Sequence, residues 1–137
     1  MRKVDAIAAS AKVARGLAYG DYDLDGDLDV LIATNGGPAY LYRNDGGNTN
    51  HWLGFKLEGT RSNRNGIGAV VRVTSAGGTQ RQTVHSGSSY CSASDLTLTF
   101  GLGRDDKATQ IEIDWPGGTP QTLKDVAAGQ HLAVRQP

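Results

Sequence analysis

Five aspartates, Asp21, Asp23, Asp25, Asp27 and Asp29, alternate with other residues through the stretch DYDLDGDLD. Carboxylates this dense repel one another unless a cation gathers them. Held extended, the run would string them out along a line, so it must curl for them to converge. Gly26 supplies the backbone freedom for that curl. Calcium suits such a loop, because it takes six to eight oxygen ligands at roughly 2.3–2.6 Å in a flexible arrangement. By analogy with known loops, Asp21, Asp23 and Asp25 offer side-chain oxygens, Asp27 its backbone carbonyl, and Asp29 closes the site. An EF-hand is excluded, because its twelfth position here is Ile32 rather than a bidentate Glu. A metal-free acidic turn is the plain alternative. A general acid/base pair is disfavoured, since nothing apolar or cationic nearby selects one carboxylate to hold a proton.

Other residues of chemical interest lead less far. The single cysteine, Cys91, excludes an intramolecular disulfide and any multi-cysteine zinc site. His51, His85 and His131 share no short ligand spacing. His85 and Cys91 have equal parity, but no third orienting group completes a nucleophilic site. In SNRNGIG (62–68) the third glycine of a phosphate-binding loop would fall at Val71, and a strand follows where a helix is needed. Asn63 and Arg64 are expected instead to satisfy backbone carbonyls or to bridge to the aspartate-rich hairpin. Trp52, Trp115 and the tyrosines suggest a sugar-stacking platform. Trp115 shares the inward parity of Ile111 and Ile113 and reads as core, leaving Tyr19, Tyr22, Tyr40, Tyr42 and Tyr90 as candidates.

The elements that must carry these residues are strands. Twelve Asp stand against two Glu, and 19 of 137 residues are Gly, a composition of turns and caps rather than helices. LDVLIAT (28–34) and AYLYR (39–43) flank Asn35-Gly36-Gly37 as a hairpin. Beyond the polar NDGGNTN (44–50), apolar residues alternate at 53–57, 71–73, 96–100, 111–115 and 132–134, with turn signals between them. Period-two alternation gives each strand one dry and one wet face. Seven or so short strands at this spacing predict an all-β antiparallel β-sandwich or small barrel. Fourteen bases balance fourteen acids, so a general attraction to nucleic acid or anionic membrane is not expected. No apolar run is long enough to insert in a membrane.

Residues 16–34, GLAYGDYDLDGDLDVLIAT, resemble the FG-GAP or VCBS repeat, the blade unit of integrin-like β-propellers, and YLYRNDG (40–46) resembles its following strand and exit loop. The resemblance implies that the five aspartates fall on calcium-ligand positions. Residues 50–137 resemble the ASPIC and UnbV domain, through NHWL (50–53), LEGTRSNR (57–64), GIGA (66–69), GSSY (87–90), FGLG (100–103) and IDWPGG (113–118). Cys91-Ser92-Ala93 replaces the Ser-Gln that commonly follows the tyrosine in that family. Together the resemblances imply an N-terminal calcium-loop hairpin like one propeller blade (16–49) ahead of the sandwich (50–137). Residues 1–15 carry no assigned role. The expected function is a non-enzymatic, Ca2+-binding extracellular or cell-surface adhesion or recognition module with a protein or glycan partner. A carbohydrate-binding module, or a structural piece of a larger propeller protein with self-association through open strand edges, is the alternative.

Overall fold

The computed structural model describes residues 12–137, so residues 1–11 of the unassigned N-terminal segment lie outside it. Ten strands make up the described chain: β1 (Ala14–Gly20), β2 (Asp29–Thr34), β3 (Tyr40–Tyr42), β4 (His51–Glu58), β5 (Val70–Ser75), β6 (Gly78–Thr83), β7 (Leu98–Gly103), β8 (Lys107–Asp114), β9 (Gln121–Ala127) and β10 (Gln130–Arg135). A single 3-10 turn (Gly47–Thr49) is the one helical element among the described residues. The protein is all-β.

The chain divides into two compact units. The first comprises the chain up to Gly47 together with Gly87–Asp95. Its sheet runs β1-β2-β3, antiparallel throughout. β1 does not end this sheet bare. Ser92 Oγ accepts from Leu17 N at 3.0 Å, Ser94 Oγ accepts from Tyr19 N at 3.2 Å, and Asp95 N donates to Tyr19 O at 3.0 Å. Three residues of the Gly87–Asp95 segment thus satisfy strand groups that would otherwise template another chain.

The second unit, Asn48–Ser86 with Leu96–Pro137, is a β-sandwich. One sheet has the order β10-β4-β7 and the other β6-β5-β8-β9, and neither closes into a barrel. All its pairings are antiparallel except β10 with β4. The inward residues of β4 (Leu53, Phe55, Leu57) and β7 (Leu98, Phe100, Leu102) form one core with Val71, Val73, Ile111, Ile113 and Trp115. Phe55 and Phe100 meet edge to face at 5.6 Å, an arrangement favoured by the ring quadrupoles. Trp115 lies in this core as its parity predicts, and its Nε1 donates to Gln121 Oε1 at 3.0 Å.

More strands are present than hydrophobic alternation counts, and β6 shows why. Its sequence, GTQRQT, has no apolar residue. Gln82 and Gln80 are paired with the inward Val71 and Val73, and their amides donate to Thr99 O at 2.8 Å and Gly101 O at 2.6 Å on β7. Hydrogen bonds replace hydrophobic contact where this edge strand meets the opposite sheet.

The SNRNGIG loop also works differently from expectation. Asn63 Oδ1 accepts from Asn65 N, and the Arg64 carbonyl accepts from Gly59 N. At the loop's start and just before it, the consecutive N–H groups of Thr60, Arg61 and Ser62 all donate to Gln136 Oε1 at 3.0–3.1 Å, and Ser62 Oγ donates to it at 3.0 Å. Gln136 is buried and ties the last strand to this loop.

Candidate metal centre

The aspartate loop connects β1 to β2, the strands being joined up to the Gly20–Asp29 pair. Sheet pairing therefore holds the two ends of the loop together before any ligand is considered. Between them the chain reverses through Leu24 at φ 60° and Gly26 at φ 97°. A side chain at Gly26 would be strained, which explains glycine at the centre of the run. Leu24 carries the other left-handed turn with its side chain in water.

Three of the five aspartates converge. Asp21, Asp23 and Asp29 each present an oxygen within 4.8 Å of the others. Two ligands on opposite sides of a calcium ion stand roughly 5 Å apart, so these oxygens fit a single cation. Asp21 and Asp29 are buried and Asp23 faces outward, which leaves room on one side for water or a further ligand.

Backbone N–H groups set the two buried carboxylates in place. Asp21 Oδ1 accepts from Asp25 N at 3.1 Å and its Oδ2 from Gly26 N at 2.9 Å. Asp29 Oδ2 accepts from Tyr22 N at 3.2 Å and its Oδ1 from Asn44 N at 2.8 Å. Asp25 and Asp27 stand outside the trio. Asp25 Oδ1 accepts from Asp27 N at 3.1 Å, an Asx-type turn within the loop. Asp27 turns its buried carboxylate to the exit loop, where Oδ2 accepts from Gly46 N at 3.2 Å and Gly47 N at 2.8 Å. Its Oδ1 is buried without a hydrogen-bond partner. Three carboxylates, those of Asp21, Asp27 and Asp29, are thus buried close together in one loop, and like charges gathered away from water are costly unless a cation joins them. The Asp23 carboxyl is pushed upward by partial loss of hydration and then by Asp25, Asp29 and Asp21, with Arg43 opposing. The donor set is all oxygen and anionic, so the residues present fit a hard divalent cation.

The other candidates do not assemble into sites. His85 Nδ1 lies 3.0 Å from Thr83 O, and His131 packs against Trp52 with ring centroids 4.7 Å apart. Cys91 is exposed, in a left-handed turn whose carbonyl closely approaches Gly16. Tyr40 and Tyr42 stack on each other at 6.3 Å, and the Lys12 ammonium sits over both rings, so cation–π contact occupies that pair. Sequence reasoning missed Ser92, Ser94 and Gln136. No motif marks them, because each acts on backbone about 75 positions away in the chain.

Comparison with known proteins agrees with the sandwich. Residues 59–137 match the family described as ASPIC and UnbV. The chain is 32% identical over 118 residues to cartilage acidic protein 1 of Homo sapiens, spanning 83% of this chain and 17% of that protein. It is 33% identical over 102 residues to the Mus musculus protein of the same name (72% and 16%), and 31% identical over 123 residues to that of Xenopus tropicalis (87% and 18%). The chain spans less than a fifth of the length of these relatives. With the family matched across more than half its length and a sandwich of two open sheets beneath that match, the chain belongs to the ASPIC and UnbV family.

Proposed function

We propose that the chain is a calcium-ordered, non-enzymatic module of an extracellular recognition or adhesion protein. The observation that carries the reading is the convergence of carboxylate oxygens from Asp21, Asp23 and Asp29, two of these residues buried. One bound calcium neutralises most of that charge and links metal binding to folding. The FG-GAP or VCBS resemblance of residues 16–46 supports calcium as the ion. The extracellular assignment rests on the similarity to cartilage acidic protein 1, and no described helix is long and apolar enough to cross a membrane.

The test is thermal unfolding with calcium and with chelator. At calcium a hundredfold above its dissociation constant the gain is about 2.7 kcal/mol. That corresponds to a rise in Tm on the order of 10 °C for a chain of 137 residues. Asp29→Asn keeps the shape, removes one anionic ligand and is expected to abolish most of the shift. Equal melting of metal-free and calcium-loaded protein would refute the reading.

One further observation favours a structural role beside this one. The β1-β2-β3 sheet exposes apolar side chains on both faces, Leu17 and Tyr19 on one, Leu31 and Leu41 on the other. A sheet of this kind is suited to stacking between similar sheets, as a piece of a larger propeller. Light scattering after size exclusion distinguishes the two: self-association through these faces gives a mass above the 14.4 kDa monomer, and Leu31→Lys with Leu41→Lys restores the monomer.

A further inference from the structure

The outer face of the β10-β4-β7 sheet differs from the rest of the sandwich surface. Its floor is nearly bare, because Gly101, Gly103 and Ala133 fall at outward positions. Two groups of side chains rise from it. At one end Trp52 meets His131, the ring planes inclined at 55°. His131 reaches this position because its strand partner is Gly54, where a Cβ would collide with the imidazole. Further along the sheet, Lys56, Arg64 and Arg135 line one groove with Glu58 as its only acid. Lys56 lies four residues from Trp52 along β4, about 13 Å at strand rise.

Two bases of the four-stranded sheet are matched by acids, and those of this groove are not. On the four-stranded sheet, Arg72 is paired with Asp114 at 2.6 Å and Lys107 with Asp125 at 2.7 Å. None of the described ion pairs involves Lys56, Arg64 or Arg135. Three cations against one carboxylate make this a groove complementary to anions.

We propose that this face binds a linear acidic glycan, one bearing sulfate or uronate groups along its chain. The Trp52–His131 pair receives a sugar ring, as amphipathic aromatic surfaces do, while Lys56, Arg64 and Arg135 receive the anionic substituents. Glu58 among the cations selects for this class. Its carboxylate accepts from sugar hydroxyls, donors that a polyphosphate or poly-glutamate chain does not offer between its charges. The site lies in the sandwich and does not depend on the calcium loop.

The test is titration of the full chain, in calcium and at low salt, with a heparin octasaccharide, and separately with a poly-glutamate peptide and a single-stranded oligonucleotide of equal charge. Binding of the octasaccharide is expected to weaken about tenfold in Lys56→Ala/Arg135→Ala, through loss of two complementary charges. Arg104→Ala/Lys124→Ala removes the same charge elsewhere and is expected to bind like the parent. Arg64→Gln and Trp52→Leu are expected to weaken binding individually, each checked for an unchanged melting curve; a Trp52→Leu that melts early is set aside in favour of His131→Ala. No octasaccharide binding, an equal loss in both double variants, or equal affinity for poly-glutamate or the oligonucleotide would overturn the proposal.

Discussion

Asp21, Asp23 and Asp29 gather oxygens at one point, while Asp25 Oδ1 and Asp27 Oδ2 accept from backbone N–H groups outside that trio. Spacing alone does not separate the two. All five positions read alike in the sequence, and the division depends on Gly46 and Gly47 arriving beside Asp27 from nearly twenty residues on. The loop also predicts a pH dependence. Asp23 holds its proton more tightly in the folded, metal-free loop than in the unfolded chain. Its contribution to metal-free stability is therefore present below the unfolded pKa and is lost as pH rises through the raised folded value. Calcium needs the carboxylates ionised, so its stabilisation runs the opposite way. The calcium-induced rise in Tm is expected in full at pH 7 and to shrink as acid protonates Asp23, whose proton is held more tightly than an ordinary aspartate's. Melting curves with and without calcium between pH 4 and 7.5 check this, and a shift that stays constant over the range would contradict it.

At the level of elements, legibility followed chemistry. β4, β5, β7, β8 and β10 announce themselves through alternating apolar residues, since each buries one face in the same core. β6 does not, because its inward positions are glutamines bonded to β7 carbonyls. β10 pairs parallel to β4, an arrangement that depends on where the chain returns and not on its residues. The link between β10 and the Thr60–Ser62 loop carries a prediction of its own. Gln136→Leu fills similar space but leaves three N–H groups without their acceptor, at a cost of about 1–3 kcal/mol. Gln136→Glu keeps the acceptor, with three N–H groups and the Ser62 hydroxyl converging on it, so despite its buried charge it is expected to lose less stability than Gln136→Leu at neutral pH. Urea unfolding of the two variants separates them, and equal destabilisation by both would show that the N–H cluster contributes nothing.

Across the whole molecule, the formal net charge of zero conceals an uneven distribution. The stretches forming the first unit hold eight acids against five bases, and those forming the second hold six acids against nine bases. With a net charge of zero, binding of one divalent cation would show directly in the overall charge. Native electrophoresis near pH 7 is expected to leave the metal-free chain almost stationary, and one bound calcium to move it toward the cathode by two charges. Identical mobility in calcium and in chelator would count against a bound ion.

The sequence by itself determined the strand-rich class, the sandwich core and the acidic loop, because alternation, turn residues and charge density are local properties. Only the tertiary structure decided which aspartates gather their carboxylates and which glutamines and serines close the sheets. It also decided that Trp52, His131, Lys56 and Arg135 stand on one open face. Each of these depends on segments distant in the chain meeting across strand pairings, and a pairing register leaves no mark in the residues on either side of it.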